Sequence, residues 1–161
     1  MLARSILPFA LLLIPIAPAI LTTSAAQSAR LPRFLYTAAR TYEPIAWLKG
    51  NDRFSSGASI FLSDGDAQRP LIPEFAVTAD PAVSFDGQRM LFAAKPHAND
   101  VWQIWELSLE EAKTHRITQG KGDCIRPLYL PADRIVYARK VEGHFVIETS
   151  DLSGENTLSL T

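Results

Sequence analysis

One cysteine and three histidines have the widest scope for metal binding or nucleophilic catalysis in this sequence. They are His97, His115, Cys124 and His144. Zinc-binding sequences usually place paired ligands a few residues apart, whereas these four residues are nine or more positions from one another. Any metal or catalytic site would therefore have to be assembled entirely by the fold. We predict no catalytic, metal-binding or cofactor-binding residue, with His97 in a solvated loop and Cys124 in the core.

The tripeptide Asp64-Gly65-Asp66 resembles part of a calcium-binding loop. A complete calcium loop supplies further oxygen ligands at regular spacing and ends in a glutamate that binds through both carboxylate oxygens. The residues that follow Asp66 do not provide this pattern. We therefore predict a simple turn at 64–66.

The common signatures of hydrolases and nucleotide-binding enzymes are absent from the sequence. It contains no Gly-x-Ser-x-Gly nucleophile elbow, no phosphate-binding glycine loop and no dinucleotide fingerprint. The formal net charge is -1 over 161 residues, so there is no basic field of the kind that attracts nucleic acid. These observations favour a protein without catalytic activity and without a nucleic-acid partner.

The elements that position these residues come from an internal repeat. The first full copy consists of residues 80–92, 101–107 and 115–118. The second full copy consists of residues 126–137, 144–149 and 158–161. Phe92 corresponds to Tyr137 at an offset of 45, and Ile104 corresponds to Ile147 at an offset of 43. A period of about 40 to 45 residues is typical of β-propeller blades.

Each copy divides into four short runs separated by turn residues, which predicts a four-stranded antiparallel sheet. We expect an all-β protein with about two and a half to three propeller blades in an incomplete or open propeller. The predicted segments are a signal peptide at 1–26, a lead-in strand and loop at 27–57, a partial blade at 58–78, and blades at 79–120 and 121–161.

The strongest turn signal is Asp86-Gly87, which can occupy the positive-φ positions of a tight hairpin. It would join the strand around Val83 to the strand around Leu91. In the second copy Pro131-Ala132-Asp133 stands at this place, so that turn must be of a different type.

The run Val101–Leu107 is apolar or amphipathic on both alternating faces, as an inner strand between two sheets requires. The alternative is a helix that continues to Lys113, because the residues after Leu107 are good helix formers. The β-branched and aromatic content of the run favours the strand. Glu110-Glu111 would then lie in a turn between the third and fourth strands.

Seven aromatic side chains fall inside predicted strands, and we expect them to pack between adjacent blades. They are Phe85, Phe92, Trp102, Trp105, Tyr129, Tyr137 and Phe145.

The N-terminal residues have the pattern of a secretory signal. Met1–Arg4 is a short positively charged start, Ile6–Leu21 is apolar, and Ser24–Ala26 supplies small residues for cleavage after Ala26, with Ala29 as an alternative site. An uncleaved membrane anchor is disfavoured because prolines interrupt the apolar run at Pro8, Pro15 and Pro18. We expect a periplasmic or secreted protein with no stable membrane span after cleavage.

The repeat residues carry a family resemblance. The residues concerned are Asp80-Pro81, Ser84-Phe85-Asp86-Gly87, Met90-Leu91-Phe92, Gln103-Ile104-Trp105 and Arg116-Ile117-Thr118. Their pattern resembles the WD40-like repeat of periplasmic TolB-type propellers, and 127–131 with 134–137 is similar to propellers related to the middle domain of the hydrazine synthase alpha subunit. The resemblance covers 58–161 and implies a propeller fold. The haem chemistry of hydrazine synthase is not implied, because the sequence has no Cys-x-x-Cys-His motif.

Two functional hypotheses follow from fold analogy. In the first, the chain is a non-catalytic exported interaction module that binds a protein or cell-envelope component. In the second, it is the N-terminal propeller portion of a longer envelope enzyme. That enzyme would be either a hydrolase or peptidase, or a relative of hydrazine synthase. About three blades are too few to close a ring, so open blade edges would also permit self-association.

We predict that the exported protein begins at Gln27. The intact mass of protein recovered from the periplasm or the medium should lack residues 1–26, because the signal peptidase removes them. Recovery of a full-length cytoplasmic product would contradict this prediction.

Overall fold

The computed structural model describes residues 32–161, which form an all-β structure of three antiparallel sheets. The predicted signal peptide at 1–26 lies outside the described residues. A single turn of 3-10 helix at Ala46–Lys49 is the helical element of the described part. None of its helical segments has the length and apolar character needed to span a bilayer.

We call the three sheets blade 1, blade 2 and blade 3. Blade 1 contains β1 (Phe34–Ala38), β2 (Ser59–Asp64) and β3 (Ala67–Pro70). Blade 2 contains β4 (Val77–Val83), β5 (Arg89–Lys95), β6 (Gln103–Ser108) and β7 (Lys113–Arg116). Blade 3 contains β8 (Cys124–Leu130), β9 (Arg134–Val141), β10 (His144–Asp151) and β11 (Leu158–Ser159). The all-β fold class is confirmed, and the three sheets do not close into a ring.

The strand register shows that the three blades are structural repeats. Ile60, Ile104 and Ile147 pair with Thr37, Ala93 and Ala138, respectively, on the preceding strand of their own blade. The amide of each isoleucine donates a hydrogen bond to a threonine hydroxyl. The acceptors are Thr78 at 2.8 Å, Thr118 at 2.8 Å and Thr161 at 2.9 Å. The same backbone amide is thus satisfied in the same way in every blade.

Strand β5 occupies the centre of the structure and is apolar on both faces, as a strand between two sheets requires. Met90 and Phe92 pack towards blade 1, in a cluster that contains Ile60 and Ile72. On the opposite face, Leu91 and Ala93 belong to a second cluster. That cluster also contains Ile104, Ile135 and Tyr137. Blade 2 is therefore buried on both sides.

The strand prediction for Val101–Leu107 is confirmed from Gln103 onward, Val101 and Trp102 lie before the strand, and the helical alternative is wrong. β6 pairs with β5 on one side and β7 on the other, and it ends at Ser108. A turn at 109–112 holds Glu110-Glu111, and Ala112 adopts φ 54°, which a continuous right-handed helix does not allow. Pairing with two neighbouring strands outweighs the local helix propensity of this segment.

The hairpin at Asp86-Gly87 joins β4 to β5, but the expectation of positive φ holds for Gly87 alone. Gly87 has φ 72° and its amide donates to the Ser84 carbonyl at 2.9 Å. Asp86 instead accepts hydrogen bonds from the Ser84 hydroxyl and the Gln88 amide, and these bonds lower the pKa of its carboxyl. Phe85 sits in this turn with 82% of its surface exposed, so the prediction that it packs within a strand is wrong.

We predict that replacing Gly87 with Val destabilises the protein by more than about 1 kcal/mol, because a β-branched side chain is strained at this φ. No atom lies within 4 Å of the position that a Cβ would take, so the cost comes from the backbone. Ala132 has φ 61° and already carries a Cβ. Ala132→Val should therefore cost less, and Ala132→Gly should be neutral or stabilising. Equal costs for both valine variants in urea unfolding would contradict this assignment of the turns.

Candidate functional site

A polar cluster joins the inner strands of blades 2 and 3 to the loop between β1 and β2 of blade 1. The guanidinium of Arg53, which is almost fully buried, donates a short hydrogen bond to the Asp80 carboxylate. The same carboxylate oxygen accepts the backbone amide of Arg126 at 3.1 Å. One acidic side chain therefore links three segments that lie far apart in the sequence.

Matching β-bulges create this arrangement. The register of β4 shifts between Ala79 and Ala82, and that of β8 shifts between Ile125 and Leu128. Asp80 and Arg126, the residues within the bulges, both have φ 55° and both precede a proline. A bulge leaves one residue out of the ladder, so the Arg126 amide needs another acceptor, and Asp80 supplies it.

Asp52 extends the cluster to the end of blade 2 at which the loop connects β5 to β6. Its carboxylate accepts the Lys95 ammonium at 2.7 Å and the Trp102 indole N–H at 2.8 Å. The cavity beside these groups measures about 20 Å³, which is room for one water molecule. Because these polar groups are paired with one another and no space remains for a substrate, the cluster acts as a structural joint. No local pattern in the sequence indicated Arg53, because it lies in a segment without periodicity.

A second polar cluster lies between blades 2 and 3. The Tyr129 hydroxyl donates to the Glu106 carboxylate at 2.8 Å, and Arg89 lies 3.6 Å from the same carboxylate. Burial raises the pKa of Tyr129 well above its usual range, and the hydrogen bond to Glu106 reinforces the effect. His115 is 3.6 Å from Glu106 and largely exposed. The tyrosine is thus a fixed donor between blades rather than an acid or base that titrates near neutral pH.

The remaining residues singled out by sequence do not converge. Cys124 is a buried core residue, as predicted, and burial raises the pKa of its thiol to about 11. His97 and His144 are both exposed, the first in the predicted loop after β5. Asp64-Gly65-Asp66 forms the β2–β3 turn, as predicted. Among residues 32–161, no three His, Cys, Asp or Glu side chains are placed to hold a metal ion.

An exposed apolar groove lies on the face of blade 3 that points away from blade 2. Its volume is about 310 Å³, and we call it the blade 3 groove. The residues that line it are Trp47, Ile125, Arg126, Leu128, Val136, Tyr137, Ala138, Phe145 and Ile147. Leu128 is 59% exposed and Ile147 is 38% exposed. Trp47 closes one end, with its ring edge-on to Phe145 at 5.1 Å between centroids.

The groove repeats a surface that is buried elsewhere in the same chain. By strand register, Val136 and Ala138 of β9 take the positions of Leu91 and Ala93 of β5. Leu91 and Ala93 are completely buried beneath blade 3. The groove therefore has the composition of a blade-to-blade interface, and sequence could have located it through the 45-residue offset.

Comparison with known proteins supports the fold. No family model matches the chain. Over 81 residues it is 31% identical to hydrazine synthase subunit alpha of Kuenenia stuttgartiensis, a match that covers 49% of this chain and 10% of that protein. The solved hydrazine synthase of Kuenenia stuttgartiensis aligns with a TM-score of 0.54 and 24% identity. That alignment covers 73% of this chain and 18% of the other.

Two TolB structures are similar to the chain. TolB from Acinetobacter baumannii aligns with a TM-score of 0.52 and 23% identity, over 65% of this chain and 26% of its own. Putative TolB from Agrobacterium tumefaciens aligns with a TM-score of 0.56 and 19% identity, over 83% of this chain and 50% of its own. The chain thus has the fold of TolB-type propeller blades, and it spans about a tenth of the length of its curated relative.

We predict that Arg53→Met lowers the free energy of unfolding by about 3 kcal/mol or more, because it leaves the buried Asp80 carboxylate without its cation. The control is Lys113→Met, which removes an exposed ion pair with Glu111 and should cost less than about 0.5 kcal/mol. Urea unfolding measures both changes. Similar small losses in the two variants would show that the joint is not important for stability.

Proposed function

We propose that this chain is an exported, non-catalytic β-propeller module that binds a protein component of the cell envelope through the blade 3 groove. The proposal rests on one observation. The groove occupies the same position in blade 3 that the face covered by blade 3 occupies in blade 2. A surface with the composition of an internal interface, left open to solvent, is a binding surface for another protein.

The chemistry of the groove favours a protein partner over a small polar ligand. Leu128, Val136, Ala138 and Ile147 provide an apolar floor, and Arg126 is its one charged lining residue. Burial of exposed aliphatic side chains drives association in proportion to the area covered, whereas nothing in the floor would orient a polar substrate. The expected occupant is an apolar β-sheet face or strand.

A second candidate function is a propeller portion of a longer envelope enzyme. The 31% identity to hydrazine synthase subunit alpha over 81 residues favours this candidate. The sequence has a single cysteine, so it cannot attach haem through a Cys-x-x-Cys-His motif itself. In that setting the blade 3 groove would pack against further structure of the enzyme, and this chain would supply a scaffold rather than catalytic groups.

We predict that a photo-reactive phenylalanine analogue placed at Leu128 forms covalent adducts with a protein partner in cells that produce the protein. The matched control is the same analogue at Phe85, which is more exposed but lies on a hairpin tip away from the groove. Adducts from position 128 should exceed those from position 85 at least several-fold, as measured by gel shift and peptide mass spectrometry. Equal yields, or none from position 128, would contradict the proposed binding surface.

A further inference from the structure

The connection between β1 and β2 is much longer than the equivalent connections in the other two blades. It runs over residues 39–58, whereas residues 96–102 join β5 to β6 and residues 142–143 join β9 to β10. Loops longer than about 12 to 15 residues are uncommon in compact domains and usually serve a function. The extra length therefore calls for a role beyond joining two strands.

The loop folds back on itself as a short hairpin whose base is fixed. Tyr42 and Phe54 form an isolated antiparallel bridge, with their rings stacked at 4.9 Å between centroids. The Glu43 amide donates to the Arg53 carbonyl at 2.9 Å, and the Arg53 side chain is held in the polar cluster between the blades. The 3-10 helix at Ala46–Lys49 thus lies at the far end of an anchored hairpin.

The 3-10 helix has buried residues and an exposed apolar pair. Ala46 is buried, and Trp47 contacts Phe145 of blade 3 edge-on. By contrast, Ile45 is 60% exposed and Leu48 is 68% exposed. Residues three apart in a 3-10 helix lie on the same face, so these two aliphatic side chains form one apolar surface. We call Ile45 and Leu48 together the loop tip.

The position of the loop tip differs from that of an uncovered blade face. Asp52 bonds to Lys95, the last residue of β5, and to Trp102, which directly precedes β6. The loop therefore lies at the ends of the strands, whereas adjacent blades of a propeller pack on the faces of the sheets. A further blade beside blade 3 would cover the blade 3 groove, and neither Ile45 nor Leu48 lines that groove.

Basic side chains lie next to the loop tip. Lys49 is exposed in the last turn of the 3-10 helix. The Arg126 guanidinium lies 6.0 Å from the centre of the Trp47 ring. The Lys140 ammonium lies 3.9 Å from the position that a Cβ on Gly50 would take. Within the part of the chain that the structure describes, none of these three cations forms an ion pair.

The acidic groups of the loop do not balance these cations. Residues 39–58 contain two acidic side chains, Glu43 and Asp52, and Asp52 is already paired with Lys95. Asp123, which lies near Lys140, accepts the Trp102 amide at 3.0 Å. The surroundings of the loop tip therefore carry an excess of positive charge, although the formal net charge of the whole chain is -1.

We propose that the loop tip contacts the surface of a lipid bilayer that contains anionic lipids. Exposed aliphatic side chains beside a tryptophan and flanking basic residues are the combination with which peripheral proteins lie in the membrane interface. Ile45 and Leu48 enter the boundary between headgroups and acyl chains, and the three cations contact lipid phosphates. A bilayer accepts a protruding apolar tip without a matching shape, whereas a protein partner needs a complementary surface. This contact does not use the blade 3 groove.

Co-sedimentation of the purified protein with lipid vesicles tests the contact. The vesicles consist of phosphatidylcholine alone or of phosphatidylcholine with phosphatidylglycerol. We expect the anionic vesicles to bind at least roughly tenfold more tightly than the neutral ones, because each basic side chain near the surface adds to the attraction. Raising the salt concentration from about 50 mM to about 500 mM should weaken binding, since the charges are then screened.

Variants separate the apolar and the charged contributions. The double variant Ile45→Ser with Leu48→Ser should lower the partition constant at least about tenfold, because two aliphatic side chains lose their gain on burial. Lys49→Gln should lower it about fivefold. The matched controls are Phe85→Ser, at the other end of β5, and Lys113→Gln on β7, and both should bind as the wild type does. Circular dichroism and urea unfolding verify that each variant is folded.

The results that would overturn the inference are distinct. Wild-type protein that binds neither kind of vesicle, or binds both equally, would exclude a contact with anionic lipid. Serine variants that bind as tightly as the wild type would show that Ile45 and Leu48 do not enter the bilayer. A protein that ignores vesicles but forms adducts through position 45 with an acidic protein would assign the loop tip to a protein partner instead. The adducts from position 128 test the blade 3 groove separately, so failure of one proposal leaves the other in place.

Discussion

The packing of blades 2 and 3 depends on the Asp80 carboxylate, which joins the Arg53 guanidinium and the Arg126 amide. Inner strands of adjacent blades approach closely, so an unpaired polar group between them would be costly. The bulges in β4 and β8 create such groups by interrupting the ladder. A charge-assisted hydrogen bond is stronger than a neutral one. Here the Asp80 carboxylate accepts both the Arg126 amide, which the bulge leaves without a ladder partner, and the buried Arg53 guanidinium.

Anchoring Arg53 also determines where the loop between β1 and β2 lies. Asp52 bonds Lys95 and Trp102 of blade 2, and Arg53 bonds Asp80, so residues 52–53 are held against the inner ends of the blades. The preceding 3-10 helix then reaches blade 3, where Trp47 contacts Phe145. One stretch of chain that precedes β2 thus contacts both later blades. It stabilises the arrangement of three sheets that do not form a ring.

The strands of the repeat were predictable because alternation, turn residues and a constant offset all indicated the same structure. β5 and β9, which align Phe92 with Tyr137, are the best examples. The Arg53–Asp80 joint was not predictable, since it needs a bulge and a contact across 27 residues that no local pattern encodes. Phe85 was misassigned because its aromatic character favours a strand, whereas the Ser84–Asp86 hydrogen bond builds a turn around it. The 45-residue offset pointed to the blade 3 groove, and the strand register then placed Val136 and Ala138 on its floor.

Apolar side chains on the outward face of a repeat are exposed to water unless other structure covers them. In blade 3, Leu128 and Ile147 are aliphatic and exposed, whereas Leu91 and Ala93 on the equivalent face of blade 2 are buried beneath blade 3. A few polar substitutions in the blade 3 groove would remove this exposure and leave the interface between blades 2 and 3 intact. The apolar character of the groove therefore supports the proposal that it is covered when the protein functions, and the 45-residue offset indicates that whatever covers it resembles the face that blade 3 presents to blade 2.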